Sequence, residues 1–283
     1  MGKFTLDLCH AMNDEQARLW NGPSGRAWVE NQELLDQIYQ PFEDLIVEIG
    51  SAKPRNGVLD VGCGAGATTV AIARGIGGAA VGVDISEPLV AAARARAERE
   101  RAPASFICAN AQTYPFQPAA FDLIVSRFGI MFFDDPVAAF DNLRRAVRDG
   151  GELRVIPWRR AEENPFMTTA ERAAAPLMPN LPPRRPNAPG QFALADDRRM
   201  HAILDASGWS AIDIRPLDVA CTMPVTELSR YMTRLGPVGQ ALQDVDAETH
   251  AKVTETVVTA FAPFVHHDEV RFTAACWMVA ARR

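Results

Sequence analysis

One nine-residue run constrains this chain more than any other. It is VLDVGCGAG, residues 58–66, an apolar stretch that runs straight into three glycines at alternate positions. Gly57–Val61 has the apolar, β-branched character of a strand buried on both faces. Gly62, Gly64 and Gly66 let the backbone turn sharply and approach a ligand with no Cβ in the way. A helix then runs to about Ile76, and its first turn offers N–H groups without intrahelical partners. Strand, glycine turn and helix together predict a ligand-binding unit of an α/β protein.

The same alternation continues. Ala79–Val83 is a second strand closing on Asp84, and Ser86 is a good N-cap for the Ala/Arg-rich helix after it. Ser105–Cys108 and Phe121–Ser126 read as the third and fourth strands. Asp134–Arg148 reads as a helix with Pro136 in its first turn. Asp149-Gly150-Gly151 forms a turn before a fifth strand, Glu152–Ile156. Apolar strands alternating with helices predict a parallel sheet covered on both faces. Ahead of the sheet, apolar residues from Trp28 to Ile49 recur at helical spacing and stop at Gly50.

Beyond the fifth strand the regularity lapses. Six prolines between Pro176 and Pro189 forbid a continuous helix or a central strand, which predicts an extended lid or a passive surface loop. Order returns in a helix at Asp196–Ser207, a strand at Ile212–Val219, helical structure over 225–262 and a last strand at Val270–Ala281. The chain thus divides into an N-terminal helical lid segment (1–50), a ligand-binding core (51–157), a Pro-rich insertion (158–195) and a C-terminal part of the core (196–283).

Charge and cysteine usage remove several function classes. The net charge is −6 and no basic tract occurs, so nucleic acid is not an expected partner. The five cysteines, Cys9, Cys63, Cys108, Cys221 and Cys276, are odd in number and contain no C-x-x-C pair. Neither a disulfide framework nor a zinc site is expected. His266-His267 and the helical His201 lack carboxylate-spaced partners, so no metal is expected. No apolar run is long enough to span a membrane, and the N-terminus lacks a signal-type apolar stretch; a cytoplasmic location is the expectation.

The glycine turn alone admits two readings, because Gly62-x-Gly64-x-x-Ala67 also fits a dinucleotide fingerprint. Asp60 separates them. A carboxylate two residues before the first glycine suits a cationic ligand group, such as an amino-acid ammonium, and repels a pyrophosphate.

Five segments in order now carry a resemblance: VLDVGCGAG (58–66), VGVDIS (81–86), NAQTYPF (110–116), FDLIVSRFGIMFF (121–133) and LRRAVRDGGELRV (143–155). The chain resembles the class I S-adenosylmethionine-dependent methyltransferases, in particular the small-molecule branch that includes ubiquinone-biosynthesis enzymes. The resemblance implies a doubly wound, mostly parallel seven-stranded Rossmann-like sheet with its last strand antiparallel and with lid insertions. It implies S-adenosylmethionine as cofactor and S-adenosylhomocysteine as product. Gly62, Cys63, Gly64 and Gly66 would bring the loop against the methionine part, and Asp60 would support its ammonium. Asp84 would accept from both ribose hydroxyls, and Ile85 would stack on the adenine. Asn110 stands where the family usually has an acid that accepts from the adenine amine, with Ala111 and Gln112 beside the base. Ser126 would face the sulfonium.

The acceptor side reads as aromatic. Arg127, Phe128, Met131 and Phe132 follow the fourth strand, Phe166 follows the fifth, and Trp20 and Trp28 lie in the N-terminal segment. Together they predict a small, partly apolar substrate. No catalytic base is singled out, since one is needed only if the nucleophile arrives protonated. A nicotinamide-dependent oxidoreductase and a catalytically silent cofactor-binding module are the competing readings. The N-terminal segment and the Pro-rich stretch, residues 1–27 and 165–192, are expected to form a mobile cover over an apolar pocket.

Overall fold

The computed structural model describes residues 15–76, 78–185 and 187–283. Cys9, the first fourteen residues of the expected N-terminal lid and Pro186 lie outside the described residues.

The sheet follows the predicted alternation. Its strands are β1 (Gly57–Val61), β2 (Ala79–Asp84), β3 (Ala104–Cys108), β4 (Phe121–Arg127), β5 (Val147–Ile156), β6 (Ser210–Pro224), β7 (Val265–His266) and β8 (Glu269–Arg282). The order is β3-β2-β1-β4-β5-β8-β6, with β7 paired to β8. Pairing is parallel from β3 through β5, and β8 runs antiparallel to both β5 and β6. Seven long strands and the antiparallel last strand thus match expectation. The eighth, β7, is the short arm of a hairpin whose turn contains His267 at φ 58°. The His266-His267 pair therefore serves a turn.

The helices are α1 (Pro23–Glu30), α2 (Gln32–Ser51), α3 (Ala67–Ile76), α4 (Glu87–Glu100), α5 (Pro136–Ala146), α6 (Pro165–Ala174), α7 (Asp197–Ala206), α8 (Leu228–Arg234), α9 (Gly236–Ala241) and α10 (Ala247–Ala260). The predicted Ser86 cap forms, its Oγ accepting from Leu89 N, and two aspartates cap further helices: Asp135 Oδ1 accepts from Ala138 N and Asp196 Oδ1 from Arg199 N. β5 starts five residues before the predicted Glu152. Val147 still pairs with Phe121, and the register then shifts so that Leu123 meets Glu152. A bulge of this kind hides a strand start behind a Gly-Gly turn signal. β6 also runs well past Val219. It is an edge strand whose burial alternates over Val219–Met223, so its solvent-facing Ala220 and Thr222 dilute the apolar signal.

The main core lies between the sheet, α2 and the C-terminal helices, and holds the fully buried Ile38, Phe42, Leu123 and Phe140. Each such side chain contributes on the order of 1.5–3 kcal/mol through burial. A smaller core of Val70, Val90, Ala93, Ala97 and Phe106 packs α3 and α4 onto the β1–β3 side. Helices α6, α8, α9 and α10 pack on one another and cap the C-terminal end of the sheet. Helices α8 and α9 meet the N-terminal helix α1. Gln240 Nε2 donates to Ser24 Oγ at 2.8 Å, and Arg230 Nη2 donates to the Glu30 carbonyl at 2.7 Å.

The Pro-rich insertion divides. Residues 165–174 are an ordinary helix, α6, and the proline segment after it is irregular. The lid expectation was too broad here, because Phe166 stacks on Phe272 at 3.8 Å and packs edge-on against Phe261 and Phe264. A side chain held on several sides belongs to a permanent core.

Candidate functional site

β1 and β4 are neighbours at the point where the winding of the sheet reverses. In open α/β sheets the crevice beyond the strand ends at such a point is the ligand site. A cavity of about 1020 Å³ opens there.

The glycine loop forms one side of it, and its three glycines have three different duties. All have positive φ, at 68°, 55° and 80°. Gly62 donates to the Val83 carbonyl at 2.8 Å, and a Cβ on it would lie 2.4 Å from the Gly129 Cα. The loop after β4 therefore touches the glycine loop backbone to backbone, and Gly129 is required as much as Gly62. Gly64 has open space where a Cβ would stand and lines the cavity. Gly66 does not line it. A Cβ there would meet Ala93 and Phe106, so this glycine allows α3 to pack on α4 and β3. The expected ligand contact of Gly66 is thus replaced by a packing role.

Asp84 ends β2 beside the loop. Its Oδ1 accepts from Ser86 N and its Oδ2 from Gly64 N, both at 2.9 Å. Burial pushes its pKa up, against the opposing pull of the Ser86, Gly64 and Ile85 N–H groups. A carboxylate has about four lone-pair sites, so acceptor capacity remains for a ligand diol. Asp60, at the end of β1, accepts from Thr69 Oγ1 at 2.6 Å. Burial pushes it up to about 6, with the Thr69 bond and the Arg127 charge pulling the other way.

That shift has a stability consequence. A carboxyl whose folded pKa is raised stabilises the fold below its unfolded value near 3.8, and that stability is lost as pH rises through about 6. The full difference corresponds to on the order of 1–3 kcal/mol. Asp60→Asn keeps an acceptor for Thr69 and removes the charge. It should melt higher than the parent at pH 8 and show no such advantage at pH 4. Thermal melts across that range check this, and an equal or lower Tm at pH 8 would contradict it.

The opposite wall is aromatic. Phe128 and Trp158 stack at 4.6 Å, and Trp20 packs edge-on against Trp28 and Phe132. Hydrogen bonds latch the N-terminal segment to the end of β2. Ser86 Oγ donates to the Trp20 carbonyl at 2.7 Å, Asn21 Nδ2 to the Ile85 carbonyl at 3.1 Å, and Glu87 N to Asn21 Oδ1 at 2.8 Å. Ile85, Asn110, Ala111, Gln112, Arg127, Met131 and Phe166 also line the cavity. Asn110 Oδ1 accepts from Gln112 N and closes a local turn, while Gln112 Oε1 accepts from Asp135 N.

Every site residue named from the sequence lines this cavity except Gly66 and Ser126. Ser126 is fully buried; its hydroxyl donates to the Val61 carbonyl and accepts from Gly129 N, so it locks β4 to β1 behind the wall. The sequence reading missed Thr69, Gly129, Tyr39 and Tyr231. A glycine eight residues after the start of β4 was visible as a signal; the two tyrosines had none. Among the described residues no group of His, Cys, Asp or Glu could hold a metal ion, and no helix is long and apolar enough to cross a membrane.

A five-stranded parallel half-sheet, a glycine loop at its switch point and an acid closing β2 make a Rossmann-like ligand-binding fold. Residues 58–151 match the family described as the methyltransferase domain. An uncharacterised protein of Mycobacterium tuberculosis is 30% identical over 125 residues, 44% of this chain and 45% of that one, so the chain spans about half the length of the curated relatives it matches first. The demethylmenaquinone methyltransferase of Renibacterium salmoninarum is 24% identical over 213 residues, 72% of this chain and 88% of that one. The solved structure of the Bacillus subtilis YcgJ protein shares the fold, with a TM-score of 0.58 at 15% identity over 85% of this chain and 97% of that one.

Proposed function

We propose that the chain transfers a methyl group from S-adenosylmethionine to a small, partly apolar metabolite. One observation carries the reading: a single cavity joins the glycine loop and Asp84 at one end to an aromatic wall at the other. At about 1020 Å³ it sits at the upper end for ligand pockets, with room for a cofactor and an acceptor together. The family match and the Renibacterium relative support the chemistry and an acceptor with an apolar part.

The residues fit the cofactor. The space beside Gly64 admits the amino-acid end, Asp60 faces its ammonium, and Asp84 takes the ribose hydroxyls. Ile85 and Asn110–Gln112 flank the base. Gly66 and Ser126 act from behind, by packing and by fixing the loop. When bound, the cofactor supplies a methyl group already activated by a positive sulfur. The protein's share is to align the acceptor with that methyl and to exclude water. Asp60 argues against a pyrophosphate in this position, and so against the nicotinamide reading. Calorimetry should show one site per chain for S-adenosylhomocysteine and no comparable affinity for NAD. Transfer of labelled methyl to a metabolite extract then separates an enzyme from a silent binding module; tight NAD binding with no response to S-adenosylhomocysteine would overturn the reading.

A cover over the cavity forms part of this proposal, in a narrower version than the sequence suggested. Residues 15–27 and 178–192 would move, while α6 stays in place. Gly190 N donates to the Met131 carbonyl at 3.0 Å, and the Arg184 guanidinium, bonded to Glu171 of α6, lies 4.6 Å over the Phe192 ring, so the Pro-rich segment is tied to the wall at Met131 and to α6 at Glu171. Hydrogen exchange should be fast in both segments and slow when S-adenosylhomocysteine binds, with α6 protected throughout. Slow exchange in both states would refute the cover.

A further inference from the structure

We propose that Tyr39 and Tyr231 form an oxygen-docking pair that orients the methyl acceptor; this rests on the cavity being the methyl-transfer site. The two residues are 192 positions apart, one on α2 and the other on α8, and both line the cavity. Their hydroxyls lie 3.4 Å apart and both side chains are buried. The surroundings are apolar and aromatic. Phe42, Phe128 and Trp158 pack edge-on around Tyr39, and Phe166 lies 6.0 Å from Tyr231.

Hydroxyl counting leaves one donor to spare. Two phenols hold two O–H protons, and their mutual bond uses one. Among the described residues neither hydroxyl has a second hydrogen-bond partner. One O–H donor is left over, whichever ring donates to the other. Both residues line the cavity, so the spare donor is available to what the cavity holds. An acceptor oxygen on a ligand in the cavity would satisfy it. The Arg127 guanidinium, 5.7 Å from the Tyr39 ring centroid and bonded to the Tyr39 carbonyl at 3.3 Å, also lines the cavity and adds positive potential to it. That potential favours an oxygen carrying partial negative charge. The pair therefore fits an apolar ligand bearing a carbonyl, ether or hydroxyl oxygen, and fixes which edge faces the tyrosines. A wholly apolar ligand of the same shape would leave the donor unpaired.

The test uses 2-acetylnaphthalene and its oxygen-free analogue 2-ethylnaphthalene as probes, titrated into the full chain saturated with S-adenosylhomocysteine and read by tryptophan fluorescence. The ketone should bind about tenfold more tightly than the hydrocarbon, the size of one neutral hydrogen bond in a dry site. In Tyr39→Phe/Tyr231→Phe the ratio should fall to about one while ethylnaphthalene binding and Tm stay the same. Each single variant loses the mutual bond but keeps one free O–H donor, and should keep a ratio close to the parent's. Equal binding of the two probes to the parent, no binding of either, or a parental ratio in the double variant would overturn the proposal. Should the double variant not fold, a ratio of about one in both single variants has the same force. Calorimetric binding of S-adenosylhomocysteine, measured separately, distinguishes this failure from failure of the methyltransferase reading.

Discussion

Gly62→Ala should destabilise the fold by about 2–5 kcal/mol, the sum of a left-handed backbone carrying a side chain and an overpacked contact. The contact decides the size. The new Cβ would stand 2.4 Å from the Gly129 Cα and 3.1 Å from its carbonyl carbon, and neither is the movable end of a side chain. Relief requires the β1 and β4 loops to separate, which would break the Gly62 bond to Val83 and disturb the Gly129 bond to Ser126. A domain with a typical stability of about 5–15 kcal/mol would lose a large fraction of it. Gly64→Ala is the informative control. Its φ is 55°, and nothing lies within 4 Å of the added Cβ. It should lose only about 1–2 kcal/mol of stability through backbone strain, yet weaken S-adenosylhomocysteine binding by occupying the ligand's space. Urea unfolding and calorimetry on both variants check the split. Equal stabilities for the two variants would mean that the loops are free to part.

Asp84→Ala should weaken S-adenosylhomocysteine binding by about 1.5–3 kcal/mol, the usual size for hydrogen bonds to a charged group. That is roughly a 10- to 150-fold rise in Kd. The effect has two sources. The substitution removes the acceptor for the ribose hydroxyls, and it frees the Gly64 and Ser86 N–H groups that the carboxylate holds. The fold should respond much less, because losing those two bonds is offset by no longer burying a carboxylate whose pKa burial already raises. Asp84→Asn keeps an acceptor oxygen and should fall between the parent and the alanine variant. An unchanged Kd in Asp84→Ala would reduce this residue to a turn former.

The ligand end of the site was legible because its parts are local. Asp60, Gly62 and Gly64 lie within five residues, and Asp84 closes a strand that pairs directly with theirs. Backbone conformation fixes such groups relative to one another, so spacing along the chain translates into spacing in the fold. The aromatic wall was legible only as composition. That Phe128, Trp158, Trp20 and Phe132 face one cavity depends on how three separate segments pack. Where an isolated residue was given a specific role, packing sometimes reassigned it. Gly66 looked like Gly64 in the motif, but its neighbour across the gap is Phe106 rather than open space. Ser126 stood at the right strand end, but Val61 and Gly129 take up its hydroxyl.

The sequence by itself determined the parallel half-sheet, its helices and the loop that ends β1, because short-range periodicity, caps and turn chemistry act within a few residues of each position. The tertiary structure alone decided that α1 and the helices α8 and α9 meet beside the same cavity, through Gln240 on Ser24 and Arg230 on Glu30. It also brought Tyr39 and Tyr231 to 3.4 Å from each other across 192 residues of chain. No local preference encodes such a meeting. It follows from burying α2 and the C-terminal helices against one apolar face, which is a property of the whole packed core.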